Sequence, residues 1–334
     1  MIVTFTANPS IDRTVVLEGP LERGEVQRAA SVIEQAAGKG VNVAIVTSAS
    51  GILTVAALPF ENEGYSAMLD ERMNENMLVG SGKAAHRPRT NTTITEPDGT
   101  TTKINEPGPV LSADDLAAAS DKLVQLCANV PRWPDSGYTR DEAAWVVLSG
   151  SLPPGAPDDW YATLIRRIKP FGCKIAIDTS DAALDAVLDA LPEASFDLIK
   201  PNSDELAQLT GGDAAAFEAS AKAGDLDAIV AAARTLQRRG IANVMVTLGG
   251  AGAVLVNASG AWYSTAPKVD VKSTVGAGDS SVAGFILAEV RGAAPDACLA
   301  SAVAYGSAAA GLPGSTLPRR EDAHPEQARV RALS

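Results

Sequence analysis

The stretch TVGAGDSSVAG, residues 274–284, places Asp279 directly after three residues with almost no side chain, Gly276, Ala277 and Gly278. Apolar residues recur after Asp279 at helical spacing, which predicts a helix beginning near Gly276. The first N–H groups of a helix have no intrahelical acceptor, and the helix dipole favours an anion there. A phosphate could bind these groups while Asp279 takes a proton from whatever attacks it. The alternative is an ordinary first-turn aspartate after a tight turn.

A second glycine-rich turn, AGKGVN at residues 37–42, precedes another predicted helix over residues 39–49. Gly38 and Gly40 flank Lys39, so backbone N–H groups and one ammonium group are offered together. Asn42 can both donate and accept hydrogen bonds. This set suits a ligand rich in hydroxyl or phosphate groups. The alternative is a strand-to-helix turn with a solvated lysine.

Two further polar motifs lie in the first third of the chain. In NPSID, residues 8–12, Asp12 could accept hydrogen bonds from two hydroxyl groups, although this sequence is also common in turns. In RPRTN, residues 87–91, Arg89 carries the planar guanidinium group that binds two phosphate oxygens. The alternative for Arg89 is an exposed charge in solvent.

Two motifs in the second half suit a nucleotide. In KPNSDE, residues 200–205, Asn202 and Glu205 share one helix face and could hold a hydrated Mg²⁺ beside phosphates. The alternative is a helix-capping pattern. TLGGAG, residues 247–252, predicts a tight turn between strands that a nucleotide could approach, a weak signal by itself. The spacings of the P-loop and of the dinucleotide fingerprint do not occur in the chain.

Short β-rich runs alternate with helical patterns from about residue 143, which predicts βαβ units and a mostly parallel sheet covered on both faces. The predicted strands are 144–148, 174–178, 196–200, 243–247 and 253–256, and the predicted helices are 158–169, 182–190, 203–209 and 226–239. Ligands bind at the carboxyl ends of strands in such sheets. The segments that directly follow three of these strands, residues 149–154, 201–205 and 248–252, are therefore candidate ligand-binding segments.

The first third predicts a small antiparallel sheet beside the main one. Its strands are 13–17, 26–33, 91–96 and 101–105, and the last two form a hairpin around Asp98 and Gly99. Such a sheet could act as a lid. Residues 130–142 are rich in proline, glycine and charge and predict a surface loop. The tail after Pro318 is polar and is expected to be only partly ordered.

Composition limits the function. The chain has 334 residues, 46% of them apolar and 20% charged, as in a globular enzyme. The formal net charge of −12 argues against nucleic acid or an anionic membrane as the main partner. No secretory signal is recognisable at the start of the sequence. Three cysteines far apart and two histidines favour a reducing cytoplasm and exclude a multi-histidine metal site.

Taken together and in this order, NPSID, AGKGVN, RTN, SGSLP, KPNSDE, TLGGAGA and TVGAGD resemble the ribokinase/PfkB family of carbohydrate kinases. The match runs from the first strand to about Pro318, and NPSID, GKGVN, INEPGP and SGSLPPG are most similar to the 1-phosphofructokinase branch. The resemblance implies a three-layer α/β/α ribokinase-like fold with a mostly parallel central sheet and a small β-sheet lid. It also implies phosphorylation of a sugar hydroxyl with ATP and Mg²⁺.

The resemblance also implies roles for individual residues. Asp279 matches the catalytic base, and Gly276, Ala277 and Gly278 match the anion hole. The acceptor positions, where the sugar phosphate would bind, are Asp12, Gly38, Lys39, Gly40, Asn42, Arg89, Asn91 and Ser151. The ATP and Mg²⁺ positions are Lys200, Asn202, Glu205, Thr247, Gly249, Gly250 and Gly252, with Glu205 reaching the metal through water.

Three features depart from the family pattern. Ala37 replaces the usual first glycine of GGKG, and a methyl group there is unfavourable if the backbone needs a positive φ. The usual glycine-rich turn after the next strand reads PFENEG, residues 59–64. The loop at 130–142 is longer than usual.

We therefore expect an ATP-dependent sugar-phosphate kinase of one domain, residues 1–318, with lid strands from about 12–35 and 88–107 and a polar tail at 319–334. The most favoured reaction makes fructose 1,6-bisphosphate from fructose 1-phosphate, with Lys39 and Arg89 holding the phosphate already present. Tagatose 6-phosphate and fructose 6-phosphate remain alternatives, as does a non-catalytic sugar- or nucleotide-sensing protein on the same fold. A homodimer through the lid is compatible with the sequence.

Overall fold

The computed structural model describes residues 1–129 and 145–333. The strands along the chain are β1 (Ile2–Thr6), β2 (Ser10–Leu17), β3 (Ala29–Ala37), β4 (Thr54–Leu58), β5 (Met77–Ser81), β6 (Arg89–Thr95), β7 (Thr101–Asn105), β8 (Trp145–Ser149), β9 (Lys174–Asp178), β10 (Leu198–Ile199), β11 (Asn243–Thr247), β12 (Ala253–Asn257), β13 (Gly260–Ser264) and β14 (Val330–Leu333).

The α-helices are α1 (Lys39–Ala49), α2 (Glu63–Asp70), α3 (Ala113–Asn129), α4 (Trp160–Ile168), α5 (Asp181–Asp189), α6 (Ser203–Thr210), α7 (Ala214–Ala223), α8 (Asp227–Arg238), α9 (Ala277–Val290) and α10 (Pro295–Gly311). Short 3₁₀ helices span Lys169–Phe171, Gly249–Ala251, Arg320–Asp322 and Pro325–Gln327. Among the helices of the described residues, none has the length and apolar composition needed to cross a membrane.

The main sheet has ten strands in the order β14-β13-β12-β11-β10-β9-β8-β1-β4-β5. The seven strands from β11 to β5 are parallel, and β12, β13 and β14 add antiparallel pairs at one edge. All five residues of β1 are buried, because helices cover both faces of the sheet. The mostly parallel sheet predicted from the alternating elements is confirmed.

Successive strand residues pack into two separate layers of core. Val3 and Phe5 of β1 belong to the layer covered by α3 to α8, whereas Ile2 belongs to the layer covered by α1, α2, α9 and α10. This division follows from the alternation of side chains along a strand. The result is the expected three-layer α/β/α arrangement, in which α1 and α9 lie side by side over the centre of the sheet.

A separate sheet of four strands has the order β3-β2-β6-β7. The prediction that this sheet is antiparallel is wrong in one respect, because its central strands β2 and β6 pair in parallel. β2 and β6 each begin a hairpin, β2–β3 and β6–β7. The first hairpin follows β1 and the second follows β5, and these two strands of the main sheet run in the same direction. The predicted turn at Asp98 and Gly99 is observed, with Gly99 at φ 89°.

Several elements differ from the sequence prediction. The strand predicted at 26–33 lies instead at Ala29–Ala37, and the one predicted at 196–200 is reduced to Leu198–Ile199. The tail is more ordered than expected, because β14 pairs with β13 at the sheet edge, where unpaired backbone groups would otherwise remain. The loop predicted at 130–142 lies outside the described residues.

Candidate active site

The helix tip at residues 276–279 has the predicted form. Gly276 precedes α9 with φ 74°, a left-handed conformation that favours glycine, and α9 begins at Ala277. Asp279 lies in the first turn and is only 7% exposed. A methyl group at Gly278 would lie 3.3 Å from Lys200 Nζ, which shows that the Lys200 ammonium group lies directly beside this turn. The helix tip can therefore attract a phosphate both by its N–H groups and by that ammonium group.

Asp279 is held by the neighbouring helix α1. Asn42 Nδ2 donates a buried hydrogen bond of 2.8 Å to Asp279 Oδ2. Burial raises the pKa of Asp279 to about 6, and the nearby Asp178 carboxylate acts in the same direction, while Lys39, the Asn42 hydrogen bond and Lys200 oppose them. A carboxylate with this pKa is ionised at neutral pH and is suited to accept a proton.

Asp178, at the end of β9, was not predicted as a site residue. It is 3% exposed, and its Oδ1 lies 3.3 Å from Lys39 Nζ and 3.5 Å from Lys200 Nζ. Burial alone would raise the pKa of Asp178, but the two ammonium groups outweigh it and lower this pKa. Asp178 in turn raises the pKa of Lys39, so the Lys39 ammonium group remains charged beside it.

The signal for Asp178 was present in the sequence. Segments that follow strands were expected to bind ligands, whereas Asp178 is the last residue of the strand itself. A carboxylate that ends the buried apolar run IAI, residues 175–177, is unfavourable unless it is paired. That rule would have marked Asp178 as a residue with a charged partner.

The predicted acceptor residues on the small sheet lie together. Asp12 and Asn91 occupy paired positions of β2 and β6, and Asn91 Nδ2 donates to Asp12 Oδ1 at 3.1 Å. Ser10 Oγ also donates to Asp12 Oδ1, at 3.0 Å. Arg89 lies two residues before Asn91 on β6, and burial is the main cause that lowers its pKa, with Asp12 opposing.

Three acceptor positions carry buried polar atoms without a hydrogen-bond partner among the described residues: Arg89 Nε, Asn91 Oδ1 and Ser151 Oγ. Buried polar groups are nearly always paired in folded proteins, and an unpaired one is unfavourable by about 1–3 kcal/mol. A polar ligand that reached these atoms would supply the missing hydrogen bonds.

The remaining acceptor positions lie at the start of α1, with Gly38 before the helix and Lys39, Gly40 and Asn42 in its first turn. Gly38 has φ 137°, and a side chain there would clash with Thr6, whose Cγ2 lies 2.5 Å from the position of the added carbon. Gly40 and Asn42 are buried in α1, while Lys39 keeps part of its side chain exposed. The turn therefore lies tightly against the end of β1, and Lys39 remains accessible to a ligand.

A cavity of about 930 Å³ opens on the other side of the helix tip. It reaches the first turn of α9 at Ala277 and Gly278. Apolar walls come from Val269, Val303 and Ala310. Six of the seven residues predicted to contact the nucleotide line this one cavity: Lys200, Asn202, Thr247, Gly249, Gly250 and Gly252.

Asn202 and Glu205 form the capping box that was the alternative interpretation of their motif. Asn202 Oδ1 accepts from Glu205 N at 2.8 Å, and Glu205 Oε2 accepts from Asn202 N at 3.0 Å. The described residues contain no group of three or more metal-ligating side chains. Mg²⁺ commonly binds one or two carboxylates together with waters and phosphates, so Glu205 fits a metal held mainly by a nucleotide.

The departures from the family pattern are accommodated locally. Ala37 is a buried residue of β3, and among the described non-glycine residues only Asp181 has a positive φ. The added methyl group at Ala37 therefore imposes no left-handed strain. The turn after β4 is closed by Asn62, which caps α2 by accepting from Tyr65 N at 2.9 Å.

A three-layer α/β/α fold with a second small sheet, and a cavity that ends at a helix tip beside a buried aspartate, is the architecture of ribokinase-like kinases. The sequence matches the description "pfkB family carbohydrate kinase" over residues 6–322. The chain therefore belongs to the PfkB family of carbohydrate kinases, whose phosphoryl donor is ATP.

Individual relatives agree with this family. The chain is 36% identical to the 1-phosphofructokinase of Xanthomonas campestris over 289 residues, 86% of this chain and 83% of the relative. It is 32% identical to the 1-phosphofructokinase of Haloferax volcanii over 96% of this chain and 95% of the relative. Among solved structures, phosphofructokinase-2 of Escherichia coli in complex with potassium is similar with a TM-score of 0.81, 26% identity and 96% coverage of both chains.

Proposed function

We propose that this protein transfers the γ-phosphoryl group of ATP to the 6-hydroxyl of fructose 1-phosphate. The observation that carries the proposal is the buried Asp279 carboxylate at the tip of α9, between the nucleotide cavity and the acceptor residues of α1. The name 1-phosphofructokinase, shared by relatives that cover most of the chain, supports this acceptor.

In the proposed reaction the 6-hydroxyl gives its proton to the Asp279 carboxylate. The hydroxyl oxygen forms a bond to the γ-phosphorus, the bond from that phosphorus to the β,γ-bridging oxygen breaks, and its electron pair leaves with ADP. Backbone N–H groups at Gly276, Ala277 and Gly278 stabilise the charge on the phosphoryl oxygens. Exclusion of water by the small sheet, acting as a lid, limits hydrolysis of ATP.

The acceptor would be held from two sides. Asp12 and Asn91 bind sugar hydroxyl groups, and Gly38, Gly40 and Asn42 approach the sugar from the start of α1. Arg89 binds the phosphate that the sugar already carries, and Ser151 adds a hydroxyl group. Lys39, which the sequence assigns to that same phosphate, lies 3.3 Å from Asp178 and interacts with Asp279, so we place it beside the transferred phosphoryl group instead. The unpaired Arg89 Nε, Asn91 Oδ1 and Ser151 Oγ support this placement, because a sugar phosphate offers both donors and acceptors.

Mg²⁺ would be held by the phosphates of ATP and, through water, by Glu205. When bound, it neutralises charge on the β- and γ-phosphates. Thr247, Gly249, Gly250 and Gly252 contact the nucleotide, and Lys200 and Asn202 lie where its phosphates meet α9.

One assay tests the proposal and its alternatives. ADP release is measured in parallel with fructose 1-phosphate, fructose 6-phosphate, tagatose 6-phosphate and unphosphorylated sugars. Fructose 1-phosphate should give the highest kcat/KM. Fructose 6-phosphate is the second candidate, because phosphofructokinase-2 of Escherichia coli, at 25% identity and TM-score 0.79, was solved with that sugar. Binding of sugar phosphate and ATP without ADP release would instead indicate a sensing protein.

We also propose that a second copy of the chain covers the small sheet. Exposed apolar side chains support this proposal: Val26, Val32, Ile33 and Ile104. A structurally similar protein, phosphofructokinase-2 of Escherichia coli, has a tetrameric inhibited form. The cytoplasmic location and the single domain at 1–318 stay predictions.

A further inference from the structure

Four charged side chains near the helix tip interact with one another, and we call them the charge cluster: Asp178, Asp279, Lys39 and Lys200. Each comes from a different part of the fold: Asp178 ends β9, Asp279 lies in the first turn of α9, Lys39 begins α1 and Lys200 follows β10. Two of the four are negative and two are positive. Asp178, Asp279 and Lys200 are each at most 7% exposed, so their interactions are little screened by solvent.

Asp178 has the central position in this cluster. A single oxygen, Oδ1, lies within 3.5 Å of both ammonium groups, so these groups are held close to each other despite their like charge. Lys200 lines the nucleotide cavity, whereas Lys39 belongs to the acceptor turn at α1. The shared carboxylate therefore links the two sides of the site.

We propose that Asp178 is a positioning residue for phosphoryl transfer, which holds the Lys200 ammonium group on the nucleotide side and the Lys39 ammonium group on the acceptor side through one shared oxygen. The phosphoryl group moves from one side to the other, and each lysine stabilises its charge at one end of that path. Asp178 itself does not contact the reacting atoms. This inference rests on the proposed function of Asp279.

Asp178→Asn tests the proposal, because it keeps the size of the side chain and removes its charge. We expect kcat to fall on the order of 100-fold, since small displacements of groups that orient a reaction have effects of that size. We expect KM for ATP to stay the same or decrease, because the cluster gains one net positive charge.

The pH profile separates positioning from folding. Four neighbouring groups affect the pKa of Asp279. Asp178 belongs to β9, Lys39 and Asn42 belong to α1, and Lys200 lies in the segment after β10. Removing the negative Asp178 should move the acid limb of kcat/KM to lower pH, and removing the positive Lys39 by Lys39→Gln should move it to higher pH. A smaller fraction of folded protein would lower kcat/KM by the same factor at every pH and would not shift the acid limb.

Two further variants and one control keep the test decisive if Asp178→Asn does not fold. Lys39 is partly exposed, so Lys39→Gln should fold even if Asp178→Asn does not. Asp178→Asn should also reduce kcat less in the Lys39→Gln background than in the wild type, because one of its two partners is then absent. Asp197→Asn is the control: Asp197 accepts from Ile175 N at 2.8 Å near the opposite end of β9 and should leave the acid limb in place.

A failure of the proposed function can be recognised separately. The wild type would then release no ADP with any sugar phosphate. Titration of the Asp279 carboxyl followed by ¹³C NMR needs no turnover. The pKa of Asp279 should be lower in Asp178→Asn and higher in Lys39→Gln than in the wild type. Shifts in the same direction, or no shift in either variant, would overturn the role of Asp178.

Discussion

Asp279 combines burial with one hydrogen bond from Asn42, and its carboxylate is the proposed acceptor of the hydroxyl proton. Asp279→Asn should lower kcat by roughly 100-fold or more, the usual contribution of a positioned base, because an amide cannot take the proton. Binding of a non-hydrolysable ATP analogue, measured by calorimetry, should be nearly unchanged. Asp296→Asn is the matched control, since Asp296 is an exposed aspartate in the first turn of α10. A near-normal kcat in Asp279→Asn would contradict the assignment.

The pKa of Asp279 predicts the response of the enzyme to acid. Because burial raises this pKa to about 6, the carboxylate becomes protonated as the pH falls through that value, and a protonated carboxyl cannot accept the hydroxyl proton. We therefore expect kcat/KM to decrease below about pH 6 and to level off above it. The profile is measured with saturating ATP and a buffer of constant ionic strength. An acid limb near pH 4, the value for an exposed aspartate, would contradict the burial effect.

Arg89 should act on the acceptor and not on the nucleotide. Arg89→Ala removes a charged hydrogen-bond donor, for which a loss of about 1.5–3 kcal/mol is typical, so KM for the sugar phosphate should rise about 10- to 100-fold. KM for ATP should change little. Arg13→Ala is the control, because Arg13 is a more exposed arginine on the same small sheet that pairs with Glu34 at 3.6 Å. Equal increases in both KM values would contradict a role as phosphate anchor.

Helix α5 begins with a residue in the left-handed backbone conformation. Asp181 adopts φ 56°, the left-handed region that aspartate tolerates and β-branched residues do not. Asp181→Val should lower the free energy of unfolding by about 1–3 kcal/mol although the side chain is exposed. Ala182→Val, at the next exposed position, should lower it by about 0.5 kcal/mol or less through helix propensity alone. Denaturant unfolding of both variants measures the difference, and equal effects would contradict the strain.

Elements whose pattern is local could be predicted from the sequence. Helix α1 was predicted with its observed bounds, and the strands Lys174–Asp178 and Asn243–Thr247 were predicted residue by residue, because glycine turns or polar residues mark their ends. Helix α10 was missed because residues on nearly all its sides are apolar, which removes the amphipathic period. Strand β14 was missed because its stability depends on pairing with β13, a contact that no local pattern encodes.

The site was predictable to the extent that its residues lie in glycine-rich turns or directly after strands. Lys39, Asn42, Lys200 and Asp279 were found in this way, and the structure brings them together. For Asp178 the sequence shows only a carboxylate at the end of a buried strand that needs a charged partner, and the fold shows that two lysines distant in sequence meet it. Contacts between elements are set by tertiary packing, so a single sequence marks the candidates and not their partners.

For the whole molecule, the exposed apolar residues of the small sheet predict self-association. We expect the wild type to be a dimer in light scattering coupled to size-exclusion chromatography. Val32→Glu with Ile104→Glu should give a monomer, because both side chains lie on the face of the small sheet opposite Asp12 and charges are unfavourable in an apolar interface. Val271→Glu is the control, since Val271 is 68% exposed but lies at the nucleotide cavity. A wild-type monomer at micromolar concentration would contradict the proposed dimer.

Asn8, the first residue of NPSID, joins the small sheet to a loop of the main sheet. Its amide nitrogen donates to Pro107 O at 3.0 Å and to Leu152 O at 3.5 Å, so one buried side chain ties the exit from the β6–β7 hairpin to the loop after β8. Displacement of the hairpin relative to the Ser151 loop would break at least one of these hydrogen bonds, so the positions of the two segments are coupled. A sugar bound between Asn91 and Ser151 would therefore contact two segments that are joined through Asn8.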